Sequence, residues 1–262
     1  MAETFSTRGL KALFSYPFRH AEWQTKMLIM VCLCVAGFFV PILPWLPVLG
    51  YTAEIMRRGA AGEGDPELPE WNDWGQLFID GLRIGGAGLI AVLPLILVVS
   101  CGFSSYFVSI FGAIAQSSDG RSAGFPPFMM LGYLIFMLTM ACGFLLTLVV
   151  GIPLPAVITH VAYKRSFAAM FHVSEWWKVF RANIGGFLIG VVLLWAVSFM
   201  LQILVNVLVS TVVLCVVAFI APAVISPYLM VVGALLYGQI YHEGTETLKI
   251  AAPEGAEEGS AI

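Results

Sequence analysis

Marking every Asp, Glu, Lys and Arg along the 262 residues leaves four long stretches without a formal charge: residues 27–53, 84–118, 122–163 and 182–242. About 20 apolar residues cross a bilayer as a helix. Each stretch therefore has room for at least one crossing, and the last has room for two. Composition agrees, with 60% apolar and 11% charged residues and a mean hydropathy of +0.91, against about 25% charged in an ordinary soluble domain. The expected fold is all-α: a polytopic integral membrane helical bundle with interfacial amphipathic helices and a re-entrant first hairpin.

Whole function classes fall away on the same grounds. A nucleic-acid binder needs a basic face, and the formal net charge is −3. All five cysteines, Cys32, Cys34, Cys101, Cys142 and Cys215, lie inside charge-free stretches, where a thiol behaves as a small apolar group. They imply no disulfide framework. Cys32 and Cys34 point to different faces of a helix and have no His or carboxylate beside them, so no zinc site and no cofactor is expected. The first apolar stretch follows a 26-residue polar leader and runs through Pro41, Pro44 and Pro47 with no small-residue cleavage site directly after it. A cleaved signal peptide fits this poorly, and the N-terminus is expected to be retained.

Those prolines remove backbone donors in the middle of the first stretch, so PILPWLP reads as the tip of a shallow hairpin. Its arms, residues 27–40 and 48–58, would each reach about 15–20 Å, less than the hydrocarbon thickness. A single Pro-kinked crossing is the competing structure. The basic residues favour re-entry. If the first stretch returns to its own side and the last crosses twice, 12 of the 13 Lys and Arg share one face and only Arg121 is left outside, as the positive-inside rule demands. The expected location is a prokaryotic cytoplasmic (inner) membrane, with the N-terminus and the acidic C-terminal tail cytoplasmic.

Residues 1–242 are expected to form one membrane domain, with interfacial blocks near 10–26, 54–83 and 164–181. Residues 243–262 carry five Glu and no aromatics and are expected to be a disordered tail. A Glu-Trp pair recurs in the blocks as Glu22-Trp23, Glu70-Trp71 and Glu175-Trp176. Tryptophan favours the headgroup layer, and Lys and Arg snorkel outward beside it. The candidate headgroup residues are therefore Arg57, Arg58, Trp71, Trp74, Lys164, Arg165, Trp176 and Trp177. Gly81-x-x-x-Gly85 and Gly186-x-x-x-Gly190 are candidate close-packing motifs. Ser198, Gln202, Asn206 and Ser210, four apart, make a polar stripe on one helix, read either as interhelical glue or as the lining of a path.

No Asp, Glu, Lys or Arg lies inside any of the four stretches, which counts against a proton- or ion-coupled pump. No catalytic triad order, Walker loop or dinucleotide fingerprint is present, and no catalytic or metal-binding residue is assigned. The run Gly50-Tyr51, Arg57-Arg58, Gly62-Glu63, Leu68-Pro69-Glu70-Trp71, Asp73, Trp74, Phe78 and Gly81 resembles a prokaryotic family of polytopic membrane proteins catalogued as a domain of unknown function (four-zero-one-three). Tyr237 to Glu243, YGQIYHE, looks like that family's C-terminal helix end. The resemblance implies a bacterial or archaeal membrane protein and supplies no activity. The residues themselves favour a non-enzymatic inner-membrane protein that organises or associates with lipids or other membrane proteins. Its expected partners are membrane lipids, anionic ones included, other membrane proteins or a second copy of the chain. The alternative is a transporter or channel for a small or amphipathic solute.

Overall fold

The computed structural model describes residues 7–118, 127–210 and 215–251, and every regular element among them is helical. In chain order these are α1 Thr7–Ser15, α2 Trp23–Phe39, α3 Trp45–Ala60, α4 Trp74–Ser118, α5 Pro127–Gly151, α6 Leu154–Lys164, α7 Val173–Ala182, α8 Ile184–Ser210 and α9 Cys215–Ala251. Four segments are long and apolar enough to cross a membrane: Trp74–Ala115, Met129–Gly151, Ile184–Ser210 and Ala221–Ile250. They match the four crossings expected after the first apolar stretch, and the chain is an integral membrane protein.

The first stretch is two helices, broken where Pro41 and Pro44 withhold backbone donors. Ile42 stands in the break at a φ of 74°, a left-handed backbone that a β-branched residue rarely adopts. At 17 and 16 residues, α2 and α3 are about 24–26 Å long, longer than the expected arms. A sharper bend comes earlier. Gly9–Phe18 and Trp23–Phe39 meet at 80°, with Glu22 in the left-handed region at the corner.

The chain divides into two compact units, residues 1–87 with 155–262, and residues 88–154. In the first unit, α9 is the packing centre, burying Val231, Val232, Leu235, Leu236 and Ile240. A second cluster joins Ala53 of α3, Ile84 and Ala87 of α4, Val161 and Ala162 of α6, and Ala169. Glycines set the crossings. A Cβ on Gly81 would overlap the Leu46 carbonyl oxygen, and one on Gly50 would overlap that of Leu77, so α3 and α4 touch backbone to backbone. Gly59 and Gly238 do the same for α3 and α9.

Cross-pairs fix the second unit as an antiparallel hairpin. Val99, Gly102 and Ser109 of α4 meet Gly143, Thr139 and Gly132 of α5 respectively, so one helix is read upward as the other is read downward. Small residues at each meeting allow close approach without polar glue.

The last helix covers residues 243–251, the first part of the segment expected to be disordered. α9 continues past His242 to Ala251, carried by Gly244 against the Val179 carbonyl of α7 and by a Lys249–Glu246 ion pair at 2.8 Å. Residues 252–262 lie outside the described residues, as does Arg121.

Candidate functional site

The last turns of α3 place Glu54, Arg57 and Arg58 at i, i+3 and i+4, on one side of the helix. Arg57 pairs with Glu54 Oε2, and Arg58 Nε donates to Glu54 Oε1 at 2.9 Å. From the end of α6, where the backbone turns left-handed at φ 49°, Arg165 Nη2 reaches Glu54 Oε2 at 3.6 Å. One carboxylate, 15% exposed, thus gathers three guanidiniums. Arg58 Nη1 also donates to the Glu67 carbonyl at 3.0 Å, which fixes the following loop. On the first turns of α4, buried Asp80 pairs with Arg83 at 2.6 Å, and its charge acts on Arg57. Burial pulls Arg57 below the usual guanidinium value, and Glu54 opposes that shift. Four guanidiniums stand against two carboxylates, and the excess is cationic.

The tryptophans divide into two pairs. Trp71 is stacked on Tyr51 at 4.5 Å and donates to the Lys26 carbonyl at 3.3 Å. Trp176 donates to the Met170 carbonyl at 3.0 Å. Trp74 and Trp177 are both 41% exposed. The repeated Glu-Trp pair therefore has a shared local role in its second and third copies: the Trp N–H closes on a backbone carbonyl and the Glu takes a lysine. Glu70 holds buried Lys26 at 2.6 Å, and Glu175 holds Lys164 at 3.2 Å. Lys26 Nζ also donates to the Leu68 carbonyl at 2.8 Å.

Glu175 has a second neighbour, unforeseen in the sequence. His160, 2% exposed, shares a hydrogen bond of 2.6 Å between its Nδ1 and the Tyr241 hydroxyl, while its Nε2 lies 3.6 Å from Glu175 Oε2. Burial holds the imidazole below its usual value, and the Lys164 ammonium lowers the Glu175 carboxyl. The spacing of His160 and Lys164 on one helix face was the only signal available for this group. Asn183 was likewise missed as a fastener. Its Oδ1 caps α8 at Gly186 N, 3.3 Å away, and its Nδ2 donates to the Ile240 carbonyl at 2.9 Å and to Glu243 at 3.3 Å.

The glycine motifs act through different partners. Gly81 faces the α3 backbone and Gly85 the Leu49 side chain, whereas Gly190 admits Ile240 and Tyr237 of α9 and Gly186 makes room for the Asn183 side chain. The stripe Ser198, Gln202, Asn206 and Ser210 is exposed along its length. Its hydrogen bonds stay within α8, Asn206 Nδ2 to the Gln202 carbonyl at 2.8 Å and Ser210 Oγ to the Val207 carbonyl at 2.7 Å. Among the described residues the side chains of Gln202 and Asn206 make no interhelical bond. A cleft of about 170 Å³ lies between Ser198 and Gln202 of α8 and Pro222 and Ser226 of α9.

Residues 33–210, more than half of the chain, match the family described as protein of unknown function (DUF4013). The chain belongs to that family. The match covers the whole Glu54 cluster, while Tyr237 to Glu243 lie beyond it. No curated protein and no solved structure matches the chain.

Proposed function

We propose that this member of the family is a non-enzymatic, multi-pass protein of a prokaryotic cytoplasmic membrane that holds anionic phospholipid on its inner face, where both termini lie. The observation that carries this is the convergence of Arg57, Arg58 and Arg165 on Glu54, with Asp80 and Arg83 beside them. Glu54 lines the guanidiniums up and leaves them an excess of positive charge, and guanidinium forks match phosphate oxygens. Exposed rings at Trp74 and Trp177 supply headgroup-layer anchors in the same unit.

A basic residue near an anionic surface contributes about 1 kcal/mol, so three are worth on the order of a hundredfold in lipid affinity. Purification of the parent and of the triple variant R57Q/R58Q/R165Q, followed by native mass spectrometry of bound lipid, tests this. The parent should retain phosphatidylglycerol or cardiolipin over phosphatidylcholine, and the triple variant should lose that preference. The corresponding triple lysine variant, which keeps the charge and loses the fork, should fall between them. An unchanged lipid complement in a folded glutamine variant would remove the lipid role.

Transport is the second function that a specific observation favours, through the α8–α9 cleft at Ser198, Gln202 and Ser226. Solute flux in proteoliposomes that Q202L abolishes without loss of stability would replace the lipid-holding role with that one.

A further inference from the structure

Within the first unit α8 turns one face to α9 and leaves another bare. Leu194 packs on Gly233, Gly190 admits Ile240 and Tyr237, and Gly186 is taken up by Asn183, so the close-packing residues of this helix are already used. Roughly a third of the way round the helix by its spacing, Val192, Trp195, Phe199, Gln202, Asn206 and Val209 follow one another at alternating steps of three and four. All six are exposed. That is the heptad spacing of a helix that packs along its length on another at a shallow crossing angle.

The apolar members of this row would be equally stable against acyl chains. Gln202 and Asn206 would not. Both lie inside the span Ile184–Ser210, where an amide without a partner is costly. Among the described residues the Gln202 amide makes no hydrogen bond, and Asn206 spends one N–H on the Gln202 backbone carbonyl of its own helix, which leaves its side-chain oxygen and second N–H. Symmetry says what covers them. Copies of one chain insert with one topology, so their α8 helices run parallel, and in a parallel two-fold pair each heptad position meets its own equivalent. An amide carries donor and acceptor together, so Gln202 meets its counterpart and Asn206 meets its own, each at the same depth. An acyl chain offers neither group, and an unrelated helix would need matching amides at both levels.

We propose that the bare face of α8 is a homodimer interface, a parallel pair of helices from two copies of this chain joined by reciprocal hydrogen bonds of Gln202 and Asn206. Polar residues at heptad positions fix register and partner number in such pairs. The interface is independent of the lipid-holding role, since no residue of the Glu54 cluster belongs to α8.

Single cysteines in a cysteine-free full chain, oxidised in the membrane before solubilisation, locate the contact. V192C and V209C should give disulfide-linked dimers, and L204C, exposed on the other side of α8, should not. Förster transfer between donor- and acceptor-labelled copies, in vesicles of falling protein density, gives the dimer dissociation constant. Q202L/N206L should raise it about fiftyfold, taking membrane hydrogen bonds at their average strength for both amides of both copies. N206L alone, at a residue outside the α8–α9 cleft, should raise it about sevenfold. Q202N/N206Q keeps the amides and should dimerise like the parent; melting in detergent confirms that each variant is folded. A parent that stays monomeric, as it would if a different protein or the α4–α5 hairpin of the same chain covered the row, overturns the proposal. So does crosslinking of L204C as strong as that of V192C, a folded Q202L/N206L that dimerises like the parent, or a loss in Q202N/N206Q equal to that in Q202L/N206L.

Discussion

A single methyl group on Gly81 probes the α3–α4 crossing most directly. Its Cβ would overlap the Leu46 carbonyl oxygen and lie 3.0 Å from Gly50 N. Both obstacles are backbone, so no rotamer change relieves them, and the helices must part by roughly 1 Å to restore van der Waals spacing. Overpacking of this kind costs about 1–3 kcal/mol. The parting also loosens fully buried Tyr51 and Ile55 on the same helix, while the better helix propensity of Ala returns at most about 1 kcal/mol. A net loss of about 2 kcal/mol is expected for G81A. Gly85, one turn on, is the internal control. There the Cβ would meet only Leu49 Cδ1 at 3.1 Å, the far end of a flexible side chain, and G85A should be neutral or slightly stabilising. Melting in detergent followed by tryptophan fluorescence, with gel filtration to confirm a single species, reads both. If G81A melts with the parent, or if G85A falls as far as G81A, the backbone contact between α3 and α4 is wrong. The double variant G50A/G81A should lose less than the two single losses combined, because both side chains force the same separation.

The Asn183 side chain does two jobs, so N183D should be at least as damaging as N183A, about 1–3 kcal/mol, although Asp is ordinarily a good N-cap; a well-tolerated N183D in the same melting assay would show that the bonds to Ile240 and Glu243 do not matter. Burial holds His160 below its usual value, so as pH falls from about 6.5 toward the folded value only the unfolded chain takes the proton, and stability drops. Glu175 faces that ring and opposes the effect, Lys164 and His172 reinforce it, and Tyr241 closes the other side; H160Q should flatten the fall in melting temperature between about pH 7.5 and about pH 5.5, and an unchanged slope would place the titrating group elsewhere. Removing the buried ammonium in K26M should cost about 1–3 kcal/mol, because the Leu68 carbonyl loses its donor, while E70Q, which alters a mostly exposed side chain, should cost under about 1 kcal/mol; equal losses measured by thermal melting would count against this division.

What could be read in advance was what hydrophobicity alone controls. The charge-free stretches located all four spanning helices, because burying a charge in hydrocarbon is costly wherever it occurs in the chain. Ends were harder. α4 runs on through Ser118 and α9 through Ala251, since a helix continues as long as backbone bonds and local contacts favour it, whether or not lipid surrounds it. Arg57, Arg58 and Arg165 were singled out by position, yet Glu54 as their common partner was not, because it joins residues more than a hundred positions apart that only the return of the chain through α5 and α6 brings together. Gly81 carried a small-residue signature, but its partner Gly50 belongs to a helix with no such spacing. The stripe on α8 was visible as a pattern; its bonds to its own helix backbone depend on rotamers that no spacing specifies.

The long-range polar contacts of the first unit have a topological consequence. A segment whose two ends touch is a closed loop, and a closed loop passes through any plane an even number of times. Lys26 on Glu70 closes the loop over the first helical pair, Glu54 on Arg165 closes the one over α4 and α5, and Asn183 on Glu243 closes the one over α8 and α9. Each loop therefore traverses the bilayer an even number of times, which rules out a single kinked crossing for residues 27–69. This parity owes nothing to where the positive charges fall. Gly62 against the His242 ring, next in the chain to Glu243, extends the same bookkeeping to the loop after α3. A labelling experiment that put Gly62 and Asn183 on opposite faces would be incompatible with these contacts, however the basic residues were distributed.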